Sequence, residues 1–190
     1  MTWSAGAMRL GQLAAVVIAT CAVAVTVHAF TSKEGGYTVA FPAKPTESVE
    51  VEGNARTVLN TVTHDNVGYA VAHVDYEVDL KDDQEFDANL ANIAKPFGAS
   101  VTGRKRMKIT RGPGDQLPAE EFVFESDSVA GKGLTILDGR RAYTAAAFGF
   151  KPHDRKAAVD RFMKSFKLKA KATPKEKPKP KATTAAKTKG

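Results

Sequence analysis

Cysteine and tryptophan are almost missing from this chain, which has one of each, Cys21 and Trp3, in 190 residues. One thiol cannot close an intramolecular disulfide or build a multi-cysteine zinc cluster, so stability has to come from a packed core. Catalytic signatures are missing as well. No H-E-x-x-H pair and no G-x-S-x-G turn occurs, which leaves a zinc protease or a common serine hydrolase without support. Gly112, Gly114, Gly131 and Gly133 read as turn glycines. Neither pair leads into the lysine and helix of a phosphate loop, so no nucleotide or other cofactor is expected.

Only one long apolar run is present, LAAVVIATCAVAVTV from Leu13 to Val27, preceded by the single charge of Arg9 and followed by Val27-His28-Ala29. A basic start, an apolar middle and small residues at the end are the parts of a secretory signal. The run falls short of the roughly 20 residues that span a bilayer. Residues 1–29 are therefore expected to be a signal peptide, and the protein to be exported to the periplasm or cell envelope. Ile18-Ala19-Thr20-Cys21 is the alternative, a lipobox with Cys21 as lipidation site. Thr20 is bulkier than the residue usual there, and the apolar run continues past Cys21. Cleavage after Ala29 removes both Cys21 and Trp3.

Acidic residues are scarce at the C-terminal end. From Lys169 onward the chain carries eight lysines against one acid, Glu176, which equals the whole net charge of +7 and leaves everything before it neutral. This tail, residues 169–190, has no bulky apolar side chain and three prolines, at 174, 178 and 180. It cannot bury enough surface to offset the entropy of ordering, and is expected to be a disordered cationic arm. Lys169, Lys171, Lys175, Lys177, Lys179 and Lys181 are candidate anion-binding residues. An anionic envelope polymer or a membrane surface is a suitable partner, and nucleic acid is the least available behind a signal peptide. A solvated tail with no specific contact is the alternative.

Residues 30–168 are long enough for one core. GYTVAF (Gly36 to Phe41), TESVEVE (Thr46 to Glu52), Arg56 to His64 and Val67 to Tyr76 alternate as strands, with Asp65-Asn66 as a two-residue hairpin loop. That loop sets Val58 opposite His73, Val62 opposite Tyr69 and Arg56 opposite Asp75. His64 and His73 then stand about 20 Å apart and cannot share a metal ion. An ion pair of Arg56 with Asp75 beside a surface histidine is the expected arrangement, and a functional polar cluster of the three is the alternative.

Asp82 and Glu85 have capping-box spacing before a stripe of Phe86, Leu90, Ile93 and Phe97, and Pro96 stops that helix. Strands follow from Ser100 to Thr110 and Leu117 to Ser126 around Gly112-Pro113-Gly114-Asp115, then a hairpin from Lys132 to Phe150 with a type I′ turn at Asp138-Gly139. A last helix, capped by Asp154, carries Val159, Phe162, Met163 and Phe166 on one stripe. Short turns between successive strands imply an α+β fold, a mainly antiparallel sheet with amphipathic helices packed on it.

Arg104, Arg106 and Lys108 project to one side of their strand, a stripe that could hold an anion. The turn after it places Arg106 opposite Glu121, with Glu125 on the same face and Met107, Ile109, Phe122 and Phe124 on the other. A solvated ladder of compensating charges is the expectation favoured here.

GYTVAFPAKP, Tyr69 and Tyr76, the Gly-Pro-Gly turn, Tyr143 and the closing FMKSFKL together resemble the small exported domains of the PsbP-like class, which share a fold with the Mog proteins. The resemblance covers Gly36 to Leu168. It implies a central antiparallel sheet between helices, an αβα sandwich, and favours docking on a partner over catalysis. The class has no common catalytic set, and no site residue follows from it. The function expected is a non-catalytic binding or assembly role in the envelope, toward an envelope protein or polymer. The alternatives are a protein acting mainly through its tail, and an enzyme with a site of unfamiliar pattern.

Intact-mass analysis of protein recovered from the envelope should give an N-terminus at Phe30. A species beginning at a diacylglyceryl Cys21 would move the chain to the lipoprotein class.

Overall fold

Asp65 and Asn66 both adopt positive φ, 49° and 59°, as a two-residue type I′ loop requires. The turn leaves no slack in the strands it joins. β4 (Ala55–His64) and β5 (Val67–Tyr76) pair antiparallel with Val58 facing His73, Val62 facing Tyr69 and Arg56 facing Asp75. The structure, a computed structural model, describes residues 28–151 and 155–170.

Five more strands extend this hairpin: β3 (Thr46–Glu52), β6 (Ser100–Gly112), β7 (Asp115–Glu125), β8 (Val129–Asp138) and β9 (Arg141–Phe150). The 7-stranded sheet has the order β3-β4-β5-β9-β8-β7-β6 and is antiparallel throughout. The segment from His28, read in the sequence as the end of a signal, also forms structure. β1 (His28–Ser32) pairs with β2 (Tyr37–Phe41), and the two-residue β10 (Lys167–Leu168) pairs with the other edge of β2, making a second, 3-stranded sheet. Among the described residues two α-helices, α1 (Asp82–Ala94) and α2 (Lys156–Ser165), complete an α+β fold dominated by antiparallel strands. No helix among the described residues is long and apolar enough to cross a membrane.

Strand alternation assigns each face its cover. On one face, Val62, Tyr69, Val71, Ile136, Tyr143, Ala145 and Ala147 pack under β2 and α2, whose Tyr37, Phe41, Val159, Phe162 and Phe166 fill the same core. Ser165 ties these covering elements together, accepting from the Ala40 amide at 3.0 Å and donating to the Phe162 carbonyl at 2.6 Å. On the other face, Leu90 and Ala94 of α1 pack on Phe122, Phe124 and Val129, and Phe86 packs on Leu137 and Ala142. Phe97 lies beyond the helix end, in a 3₁₀ turn that contains Pro96, with its ring 4.5 Å from that of Phe148.

Several local expectations are corrected. Gly131 and Gly133 are not turn residues but lie within β8. A Cβ at Gly133 would stand 2.0 Å from the Phe122 ring, so the strand is bare there to let an aromatic ring from β7 lie across it. The β8–β9 loop is Gly139-Arg140, and only Gly139 has positive φ (65°), so it is not a type I′ turn. The capping box is not made. Lys81 occupies the N-cap of α1 without a side-chain bond, and Glu85 instead accepts from the Tyr76 hydroxyl at 2.5 Å. Asp154, expected to cap α2, lies outside the described residues.

The largest correction concerns β6 and β7. An irregularity between Thr110 and Gly112 shifts the pairing, so Arg106 faces Glu120 and Lys105 faces Glu121, and a second falls farther on, between Val101 and Gly103. A one-residue slip moves every side chain to the opposite face. Arg104 and Arg106 therefore share the α1 face with Phe122 and Phe124, whereas Met107 and Ile109 turn toward the core under α2.

Phe162 packs its ring 5.3 Å from Phe41 and 5.1 Å from Tyr69, and Phe166 lies 5.5 Å from Tyr37. Replacing either phenylalanine by alanine should lower stability by about 3 to 5 kcal/mol in denaturant unfolding. An unchanged midpoint for both variants would refute this packing.

Candidate functional site

The arginine stripe is engaged by the fold itself. Glu120 is only 1% exposed, and both Arg104 and Arg106 bond its carboxylate. Arg104 also reaches Asp87 at 2.7 Å and Arg106 reaches Asp83 at 3.1 Å, both on α1. The Arg106 guanidinium lies 4.3 Å from the Phe86 ring centroid, a cation–π contact. The stripe thus clasps α1 to the sheet through a buried carboxylate. The compensating acids are Glu120, Asp83 and Asp87, while Glu125 bonds Lys151 at 2.6 Å. Lys108 faces Pro118, is exposed and joins no ion pair among the described residues. An anion at the stripe would find Lys108 available and both arginines already engaged.

A second group of polar residues gathers at the other end of β5. His73 and Asp75 share a face, in register with Val58 and Arg56 on β4 and with Tyr143 and Arg141 on β9. The expected ion pair of Arg56 with Asp75 is not made. Arg141 takes Asp75 with two nitrogens, at 2.5 and 2.7 Å, and Arg56 turns outward to the Glu34 carboxylate. Nor is His73 a surface residue, since it is 0% exposed. The parity of β5 held this information: Val67, Tyr69 and Val71 precede His73 on one buried face. Glu34, Tyr37 and Arg141 were not foreseen as its neighbours because they come from distant parts of the chain.

The cover over His73 is the turn between β1 and β2. The Gly36 amide bonds the Ser32 carbonyl at 3.1 Å, the Gly35 amide bonds Ser32 Oγ at 2.9 Å, and Arg141 Nη1 holds the Glu34 carbonyl at 2.9 Å. Gly35 permits the close approach, because a Cβ there would lie 2.8 Å from His73 Nδ1 and 2.5 Å from the Tyr37 ring. Neither ring nitrogen of His73 has a hydrogen-bond partner among the described residues. Burial, aided by the Arg141 charge, holds the His73 pKa below its usual 6.5, so the ring is neutral at pH 7. The hydrogen bonds from Arg141 hold the Asp75 carboxyl below its usual 3.8. Donor atoms of Glu34, His73 and Asp75 lie within 4.8 Å of one another, the one metal-ligand group found among the described residues.

Beside this turn opens a cleft of about 750 Å³, lined by Lys33, Asp75, Arg140, Arg141, Tyr143 and Lys169 among others. Its wall also holds Arg111, only 4% exposed in its side chain and paired with Asp138 and Asp115. The Lys169 amide donates to the Gly36 carbonyl at 2.8 Å, which fixes the start of the basic segment at the cleft. Of the tail candidates only Lys169 is described. Lys171, Lys175, Lys177, Lys179 and Lys181 lie outside the described residues.

Under the same turn Tyr37 is fully buried, its hydroxyl accepting from Asn60 Nδ2 at 3.2 Å. Burial pushes its pKa from 10.0 up to about 12. Between these values the unfolded chain releases the phenolic proton and the folded chain keeps it, so stability falls as pH rises. A loss of about 2 to 3 kcal/mol from this residue is expected between pH 10 and pH 12. Urea unfolding of Tyr37→Phe should show a shallower alkaline decline than the wild type, and equal slopes would contradict the burial of an un-ionised phenol.

Compared with protein-family models and with curated proteins, the chain matches none, so its functional reading rests on the residues and geometry described above.

Proposed function

We propose that this chain is an exported, non-catalytic binding protein of the cell envelope, whose lysine-rich tail attracts an anionic envelope polymer or membrane surface to the cleft where the tail begins. One observation carries the reading. The main-chain bond from Lys169 to Gly36 starts the run of tail lysines beside Lys33 and Arg140 rather than at a remote end of the domain. The charge distribution supports it: before Lys169 the acids and bases balance, and many are consumed in ion pairs within the fold. Net attraction to a polyanion must then originate in the tail.

The PsbP-like resemblance belongs to the same proposal. An antiparallel sheet with a helix against each face is compatible with an αβα sandwich of that class, and docking is the role the class suggests. Catalysis finds less support, because His73, the one buried histidine among the described residues, has its own ring covered by the β1–β2 turn.

Truncation tests the tail. The cut belongs after Ala170 rather than after Leu168, since the bond from Lys169 to Gly36 is part of the folded structure. The shortened protein should melt within a degree or so of the full chain. It should lose the binding to lipopolysaccharide, anionic vesicles or polyphosphate that the full chain shows at low salt and that fades steeply as salt is added. Full affinity retained by the truncated protein would transfer the role to cations of the domain, Lys108 first among them.

A further inference from the structure

His73 is the only buried side chain among the described residues whose polar atoms all lack a hydrogen-bond partner. An idle buried imidazole is unfavourable unless a group bonds one of its nitrogens. As a neutral ring it offers one nitrogen lone pair as a ligand. Independently of that, the carboxylate oxygens nearest it belong to Glu34 and Asp75, and the three donor atoms lie within 4.8 Å of one another. One imidazole and two carboxylates are a donor set that zinc and its neighbours accept.

We propose that Glu34, His73 and Asp75 form a three-ligand site for a borderline divalent cation, zinc before all others, with its remaining position open toward solvent. The geometry is close. Zinc–ligand distances of about 2.1 Å place neighbouring donors of a tetrahedron about 3.4 Å apart, which small side-chain rotations reach from the present spacing. Solvent access comes from the carboxylate side, where Glu34 is 54% and Asp75 35% exposed, while His73 forms the dry floor.

Arg56 and Arg141 decide which ion fits. They already hold the Glu34 and Asp75 carboxylates. A carboxylate has lone pairs enough for an arginine and a metal together, and an arginine placed so acts as an outer partner that orients the ligand. Two guanidinium charges nevertheless cancel the two carboxylates. Magnesium and calcium, which depend on accumulated negative charge and oxygen donors, should therefore bind poorly. An ion that gains from imidazole nitrogen should be preferred. The proposal does not depend on the tail or on its anionic partner.

Zinc titration of the full, untagged chain by calorimetry tests it, with magnesium in parallel. One equivalent of zinc should bind. That equivalent should survive the double substitution His64→Ala with His153→Ala. It should weaken at least tenfold in His73→Leu and in Glu34→Gln, the latter on an exposed turn where the fold tolerates change. Cobalt substitution of the wild type should give the visible absorption of a low-coordinate site with a nitrogen ligand, a readout that needs no variant. Absence of a stoichiometric event, or undiminished binding in both variants, overturns the proposal. So does a cobalt spectrum of a purely six-coordinate hydrated ion.

Discussion

Arg141 grips Asp75 with Nε and Nη2 and the Glu34 carbonyl with Nη1, and so ties the small sheet to the end of the large one. Charge-assisted, two-pronged bonds of this kind fix orientation as well as distance. Much else follows from where that guanidinium sits. It fastens the β1–β2 turn over His73, next to buried Tyr37 and to the Gly36 carbonyl that accepts from the Lys169 amide. Besides this clamp, the turn is held by its own bonds to Ser32, by the outward pair of Arg56 with Glu34, by the Lys169 amide on the Gly36 carbonyl and by the ladder of β1 with β2. The dry histidine and the anchored start of the basic segment thus lie on the two sides of one turn.

How much of this the sequence revealed depends on whether a turn fixed the register. At Asp65-Asn66 the loop has two residues, and every facing pair of β4 and β5 follows from that length. At Gly112 to Asp115 an irregularity intervenes, and counting back from the turn puts Arg106 one position out of register. Because strand side chains alternate, one position is the difference between an exposed ladder and a clasp on a buried glutamate. The amphipathic helices were legible in their apolar spacing, which depends on local sequence alone. The candidate site was legible only in part: the shared face of His73 and Asp75 follows from alternation, but Glu34 and Arg141 reach it through pairings of β1 with β2 and β5 with β9 that no local pattern encodes.

Charge is used in two different ways along the chain. Within the fold, arginines serve as structural fasteners: Arg104 and Arg106 on Glu120, Arg111 on Asp138, Arg141 on Asp75. Guanidinium suits this work because its planar fork matches a carboxylate and it stays charged when partly buried. Every basic residue after Leu168 is instead a lysine. A flexible ammonium with a strong hydration shell makes a poor fastener but an adequate point charge for a polymer or headgroup surface. Lysines also pair within the fold, Lys132 with Asp160 and Lys151 with Glu125, but the forked contacts with the most buried carboxylates, those of Glu120 and Asp138, are made by arginine.

Under the proposed function, the anchored root of the basic segment would give the attraction a direction. A chain segment tethered at one end concentrates whatever it binds around its point of attachment, and the effective concentration falls as the span from that point grows. The root lies against Gly36, within the cleft that Lys33, Arg140 and Arg141 line. On that proposal, a polyanion captured along the lysine run would be held at higher local concentration near this cleft than near the exposed β3 edge or the α1 face. A weak site on the domain, too feeble to act alone, gains from such tethering in proportion to its closeness to the root. The Glu34, His73 and Asp75 cluster stands beside that root, so a cation bound there would meet the captured anion at the one surface where both are concentrated.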